Sequence, residues 1–275
     1  MVYRTRINTT MLPRAYPQET HVIPKANANI SSRDFEEWSD SDRVFAEAFN
    51  ACAKAGPDAC SMARPGASGE QLEAAAWKTA ERLKSKSVPV KGSITIDYDI
   101  IRQLFSFALY RPFYWNILSS TINAVETNKT NAPEFVNAYN SLVQSFTAQA
   151  GVGTALFGIH CSDRTVRLDS IDDFRPVQDR LSKTSKVMDG SSTSLSMVCA
   201  QWESHAVGAY TADFAAKTKN PILVASTLND GHTPLRSERN VSAGFEGSGM
   251  LVVRGFGVSI MRRLNIHKHA LILKT

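Results

Sequence analysis

From Asp34 onward, apolar residues recur at three- and four-residue intervals: Phe35, Trp38, Val44, Phe45, Ala48, Phe49 and Cys52. That spacing lines one face of a helix. Ser39-Asp40-Ser41-Asp42 offers an N-cap near residue 40, and Gly56-Pro57 supplies the stop. A second helix is predicted in "SGEQLEAAAWKTAERLKSK": Ser68 caps it, Glu70 and Glu73 suit its first turn, and Lys84 and Lys86 suit its last. The stretch from Gly92 to Lys129 reads as a short strand or turn, a helix, a break at Pro112 and another helix. Residues 133–150 predict one more amphipathic helix.

The pattern then changes. Three short, continuous apolar runs follow: "GTALFGIHCSD" (153–163), "NPILVAST" (220–227) and "GMLVVRGF" (249–256). Runs of this kind, separated by loops and helices, predict buried parallel strands joined by crossovers. A crossover helix is expected to start at Thr233-Pro234, and "IMRRLNIHKHALILK", beyond Ser259, predicts a closing helix. Residues 1–33 are polar, contain proline and show no sustained periodicity, which predicts an irregular arm. The fold class expected is therefore α/β, with about three parallel strands following a helical region.

Composition narrows the functional classes. The chain has 275 residues, 43% apolar and 21% charged, enough for one large domain or a core with an insert. Its formal charge of +5 is dispersed rather than clustered, which argues against a nucleic-acid partner. No apolar run approaches the ~18 residues of a membrane span. The first thirty residues carry Arg4, Arg6, Arg14 and three prolines without an apolar segment, so no signal peptide is read there. Other features point to an oxidising compartment. The four cysteines are even in number, with Cys52 and Cys60 close together, as two disulfides would require; reduced thiols are the alternative. Asn8, Asn29, Asn128 and Asn240 each begin an Asn-x-Ser/Thr glycosylation sequon. The segment around Pro112 is the most aromatic, with Phe105, Phe107, Tyr110, Phe113, Tyr114 and Trp115. Tight packing of a helical cap explains it more simply than a dedicated recognition groove.

Five stretches, in order, resemble the tripeptidyl-aminopeptidase-like branch of the α/β-hydrolases: "FNACAKAGPDAC", "LFSFALYRPFYWNIL", "GIHCSD", "VCAQW" and "NPILVASTLNDGHTPL…RGFGVSIM". The resemblance covers about residues 35–260, and the last stretch has the most specific spacing. It implies the C-terminal part of an α/β-hydrolase fold: an arm at 1–33, a helical cap at 34–150 and a core at 151–275. It also implies disulfides Cys52–Cys60 and Cys161–Cys199 and a secreted serine peptidase or related hydrolase; no cofactor or metal is expected.

Serine hydrolases need three groups. A serine hydroxyl is a weak nucleophile, a histidine takes its proton, and a carboxylate orients that imidazole. In α/β-hydrolases these follow the chain order Ser, acid, His, at the C-terminal ends of strands. Asp230 follows "ILVAST" and precedes Thr233-Pro234, as the family's acid does; the plainer reading is a turn or capping aspartate. The histidine belongs after "GFG", where this chain has Val258, and an isopropyl group has no proton to exchange. His267 and His269 lie about ten residues further on, roughly 15 Å along a helix. His232 sits on the acid's own loop, and His160 and His205 read as packing or surface residues. No serine has glycine at both i−2 and i+2; Ser259 has Gly257 before it but Met261 after it.

The expectation is thus an α/β-hydrolase-family chain resembling peptidases that hydrolyse peptides, amides or esters, truncated and catalytically incomplete. The alternatives are an active hydrolase whose serine half comes from another polypeptide, and a non-catalytic binding or tailoring protein that uses the cap as a pocket for a small molecule or peptide. Strands lacking a former neighbour would leave an open sheet edge, for which a homo-oligomer, another partner or the arm is the expected cover.

Overall fold

The computed structural model describes residues 36–148, 150–162, 167–204, 217–258 and 270–273; side chains at 145–154, 156 and 270–273 are outside this description. The arm at 1–33, with Asn8 and Asn29, lies outside the described residues. The chain divides into two compact units: Asp42–Phe157, and Gly158–Thr275 with Met1–Ser41.

Asp42–Phe157 is helical. It holds α1 (Ser41–Ala55, from Asp42 on), α2 (Gly69–Leu83), α3 (Tyr98–Ala108), α4 (Pro112–Glu126) and α5 (Pro133–Ala148). Ser68 caps α2 as the sequence predicts: its hydroxyl accepts from Gln71 N, and the Gln71 side chain accepts from Ser68 N. This reciprocal capping box satisfies two otherwise orphaned donors. Asp97 caps α3 through Ile100 N at 2.9 Å. The break before Pro112 falls where predicted, with Pro112 opening α4. The expected short strand or turn is a single bridge between Val88 and Ile96.

Four helices converge on an aromatic core. Phe45 is fully buried, with ring centroids 5.0 Å from Phe49, 4.8 Å from Phe105 and 5.3 Å from Trp115. Trp77 packs edge-on to Phe105 at 4.9 Å, beneath the Arg102 guanidinium. Rings in this arrangement add about 0.5–1.5 kcal/mol per pair beyond area burial. Residues of the aromatic stretch therefore do pack, although Phe113 stays 63% exposed. Helices α1 and α2 touch closely, since a Cβ at Gly69 would lie 2.6 Å from Asn50 N. The Cys52–Cys60 disulfide ties α1 to the turn beyond Gly56, whose φ of +79° suits glycine.

The second unit contains the end of α6 (Ala150–Ser162), α7 (Ile171–Thr184), α8 (Asp189–Ala200), β1 (Leu223–Asn229), α9 (Leu235–Gly244), β2 (Gly249–Phe256) and β3 (Ala270–Leu273). Two of the three predicted strand runs form strands. Strands β1 and β2 pair in parallel from Leu223↔Gly249 to Thr227↔Val253, joined by α9. This β1–α9–β2 arrangement gives the α/β class. Val224, Leu235, Val241, Met250 and Val252 form its core.

Two expectations are corrected. Residues 153–162, expected as a strand, belong to helix α6. A short apolar run fits a buried helix as well as a strand, and periodicity cannot separate the two. The third strand is instead β3, antiparallel to β2 from Val253↔Ala270 to Met250↔Leu273, so the sheet is not all parallel. The predicted closing helix therefore gives way to a strand at 270–273; its remainder lies outside the described residues. Leu271, Ile272 and their neighbours suit a strand that covers the edge of β2. Strand β1 is the opposite edge, and among the described residues no strand pairs with its outer side. The Cys161–Cys199 disulfide joins α6 to α8.

Candidate functional site

The ends of β1 and β2 place the two loops singled out in the sequence side by side. Asn229 pairs with Phe256, and Gly257 N donates to Asn229 O at 2.9 Å. Gly257 has φ +95°, a conformation open to glycine but costly for residues with a Cβ. One backbone bond thus fastens the start of the acid loop to the start of the Val258 loop. Val258 is half-buried there.

Asp230 is 2% exposed and its carboxylate is engaged by its own loop. Oδ1 accepts from His232 N at 2.9 Å and from Thr233 N at 2.8 Å. Oδ2 accepts from the Thr233 hydroxyl at 2.6 Å. Three donors on one carboxylate satisfy a buried anion and lock the turn leading into α9. Ser41 and the residues just before it bond to the same region: the Ser41 hydroxyl donates to Gly231 O. Glu36 accepts from Asn240 Nδ2 at 2.8 Å and lies 3.7 Å from Arg236 Nε.

A second carboxyl, which the sequence reading missed, lies beside the first. Glu238 is on the buried face of α9 and is 2% exposed, and its Oε2 has no hydrogen-bond partner among the described residues. Burial pushes its pKa up to about 9; the negative charge of Asp230 raises it further, and a hydrogen bond with Ser226 opposes the rise. Glu238 is therefore a neutral acid at pH 7. The signal that could have found it is its place on the stripe Leu235, Glu238, Val241, Ser242, where a carboxylate interrupts an apolar face.

Two of the other histidines lie among the described residues. His232 is 3% exposed on the acid loop. His160 is 5% exposed at the end of α6, next to the disulfide-bonded Cys161. His205, His267, His269 and Ser259 lie outside the described residues. Among the described residues, no three His, Cys, Asp or Glu side chains group to hold a metal ion. No helix among them is long and apolar enough to cross a membrane.

These loops lie within the segment that comparison with known proteins identifies. No curated protein matches the chain. Residues 185–265 match the family model described as TAP-like protein, a span that includes α8, β1, the Asp230 loop, α9, β2 and Val258. The C-terminal part of this chain is thus similar to TAP-like proteins over residues 185–265, and its β1–α9–β2 unit has the α/β arrangement that this similarity suggests.

Proposed function

We propose that this protein is a catalytically silent relative of serine peptidases, with the triad acid position kept at Asp230 and the base position lost at Val258. Residues 34–150 act as the cap and residues 151–275 as the C-terminal part of the hydrolase core. What supports the reading most is the bond between Gly257 and Asn229, because it sets the loop that should deliver a base beside the loop that carries the acid. The residue presented there is a valine, which cannot take a proton from a nucleophile. None of the 275 residues forms a G-x-S-x-G elbow.

The bonding of Asp230 points the same way. Its two oxygens serve the turn before α9, so the carboxylate has a structural task that survives without catalysis. A serine supplied by another polypeptide would still lack its base, which disfavours a split active enzyme. Binding of an apolar ligand or peptide by the cap is the alternative role.

The test restores the base alone. Val258→His, assayed with a chromogenic aminoacyl or ester substrate, is expected to show no turnover above the uncatalysed rate. Turnover in that variant would overturn the proposal, because it would reveal a nucleophile waiting for its histidine.

A further inference from the structure

Two of the four sequons lie among the described residues, and their surroundings differ. Asn128 follows α4 at the position where helices commonly turn left-handed, with φ +56°. Thr127 N donates to Asn123 O at 3.0 Å, and Lys129 N donates to Ala124 O at 2.8 Å. The second of these is the 6→1 bond of a Schellman-type end, made by backbone groups on either side of Asn128. Residues 126–129 are all exposed, so the carboxamide stands in solvent with room around it. Asn240 is also exposed, but its Nδ2 donates to Glu36 Oε1 at 2.8 Å, and Glu36 is itself paired with Arg236. A sugar on that nitrogen replaces one of its two amide hydrogens and sets a bulky group beside the Glu36 carboxylate, 2.8 Å from the same atom.

The thiols supply an independent observation. All four cysteines are paired, as Cys52–Cys60 and Cys161–Cys199, and none is free. Such bridges persist in oxidising compartments, where N-glycans are also added.

We propose that Asn128 is an N-glycan acceptor and that Asn240 is not. This inference stands apart from the catalytic reading. In the reaction, the Asn128 carboxamide nitrogen attacks C1 of the reducing-end sugar of a lipid-pyrophosphate-linked oligosaccharide. The new C–N bond forms as the C1–O bond breaks, the lipid pyrophosphate leaves, and one amide proton passes to a base on the transferase. The folded protein then accommodates the glycan at a helix end closed by bonds between backbone groups.

The experiment is peptide mapping of the full chain produced through the secretory pathway of a eukaryotic host. Enzymatic deglycosylation in heavy-oxygen water marks each formerly glycosylated asparagine as a labelled aspartate. The variants are Asn128→Gly, which keeps the left-handed turn while removing the acceptor, and Asn240→Gln. The expected result is a labelled Asn128 peptide in the wild-type chain and in Asn240→Gln, complete loss of that label in Asn128→Gly, and an unlabelled Asn240 peptide. An unmodified Asn128 in chains whose disulfides have formed would overturn the proposal, and so would a glycan on Asn240.

Discussion

Replacing Glu238 with glutamine should make the sheet unit less sensitive to alkali. The folded protein holds Glu238 protonated until about pH 9, whereas the same side chain in an unfolded chain ionises near its ordinary value of 4.5. Between those limits the folded state binds one proton more than the unfolded state, so stability falls as pH rises. The slope is about 1.4 kcal/mol per pH unit, or about 2.7 kcal/mol between pH 6 and pH 8. Around the group are Asp230 and Ser226, with His232 on the same loop and Arg236, Arg239 and Arg254 at the exposed surfaces of α9 and β2. Of these, Asp230 is the charge that acts on it, and it reinforces the rise. Glutamine has nearly the same shape and does not titrate. Hydrogen-exchange protection of the β1 and β2 amides, corrected for the intrinsic rate at each pH, reports the opening of this unit. Glu238→Gln is expected to gain about 2.7 kcal/mol on the wild type across those two units, beyond any constant offset between the proteins. A difference that stays flat from pH 6 to pH 8 would refute the reasoning, because it would mean that Glu238 is already ionised when folded.

Asp230→Ala should lower stability by about 2–4 kcal/mol, since it strands two backbone N–H groups and a hydroxyl in a buried turn. Asp230→Asn should cost less than half of that, because one oxygen still serves both N–H groups; chemical denaturation of the two variants checks the order. Gly69→Ala should destabilise the helical unit by about 1–3 kcal/mol, because its Cβ would meet the Asn50 backbone. Its thermal midpoint measures this, and an unchanged midpoint would contradict the close approach of α1 and α2. Replacing both Cys161 and Cys199 with serine should cost about 4 kcal/mol, against about 2.5 kcal/mol for the Cys52–Cys60 pair, because the first closes the longer loop.

What the sequence revealed depended on how local each signal was. Helix α2 was legible because Ser68 and Gln71 cap it within one turn. Strands β1 and β2 were legible because their apolar runs are short and sit before glycine-bearing loops. The run at 153–162 was not, since nothing within it distinguishes a helix from a strand, and the tie from Cys161 to Cys199 is made 38 residues away. Helix α7 went unpredicted although Ser170 caps it and Phe174, Val177 and Leu181 line its buried face; Pro176, inside the helix, reads as a breaker. At the candidate site, the sequence singles out Asp230 by its position after a strand, and the structure shows that residue buried at the end of β1. Its three hydrogen bonds and its neighbour Glu238 were not legible there, because they depend on how α9 folds back onto β1.

The central claim is that this chain has no proton-shuttling nucleophile. Its most direct test is to expose the purified wild-type protein to a fluorophosphonate probe, which labels activated serines covalently, and to weigh the intact chain. The account predicts a mass unchanged by the probe. A single stoichiometric adduct, formed only by the folded protein and accompanied by ester or amide cleavage, would contradict it.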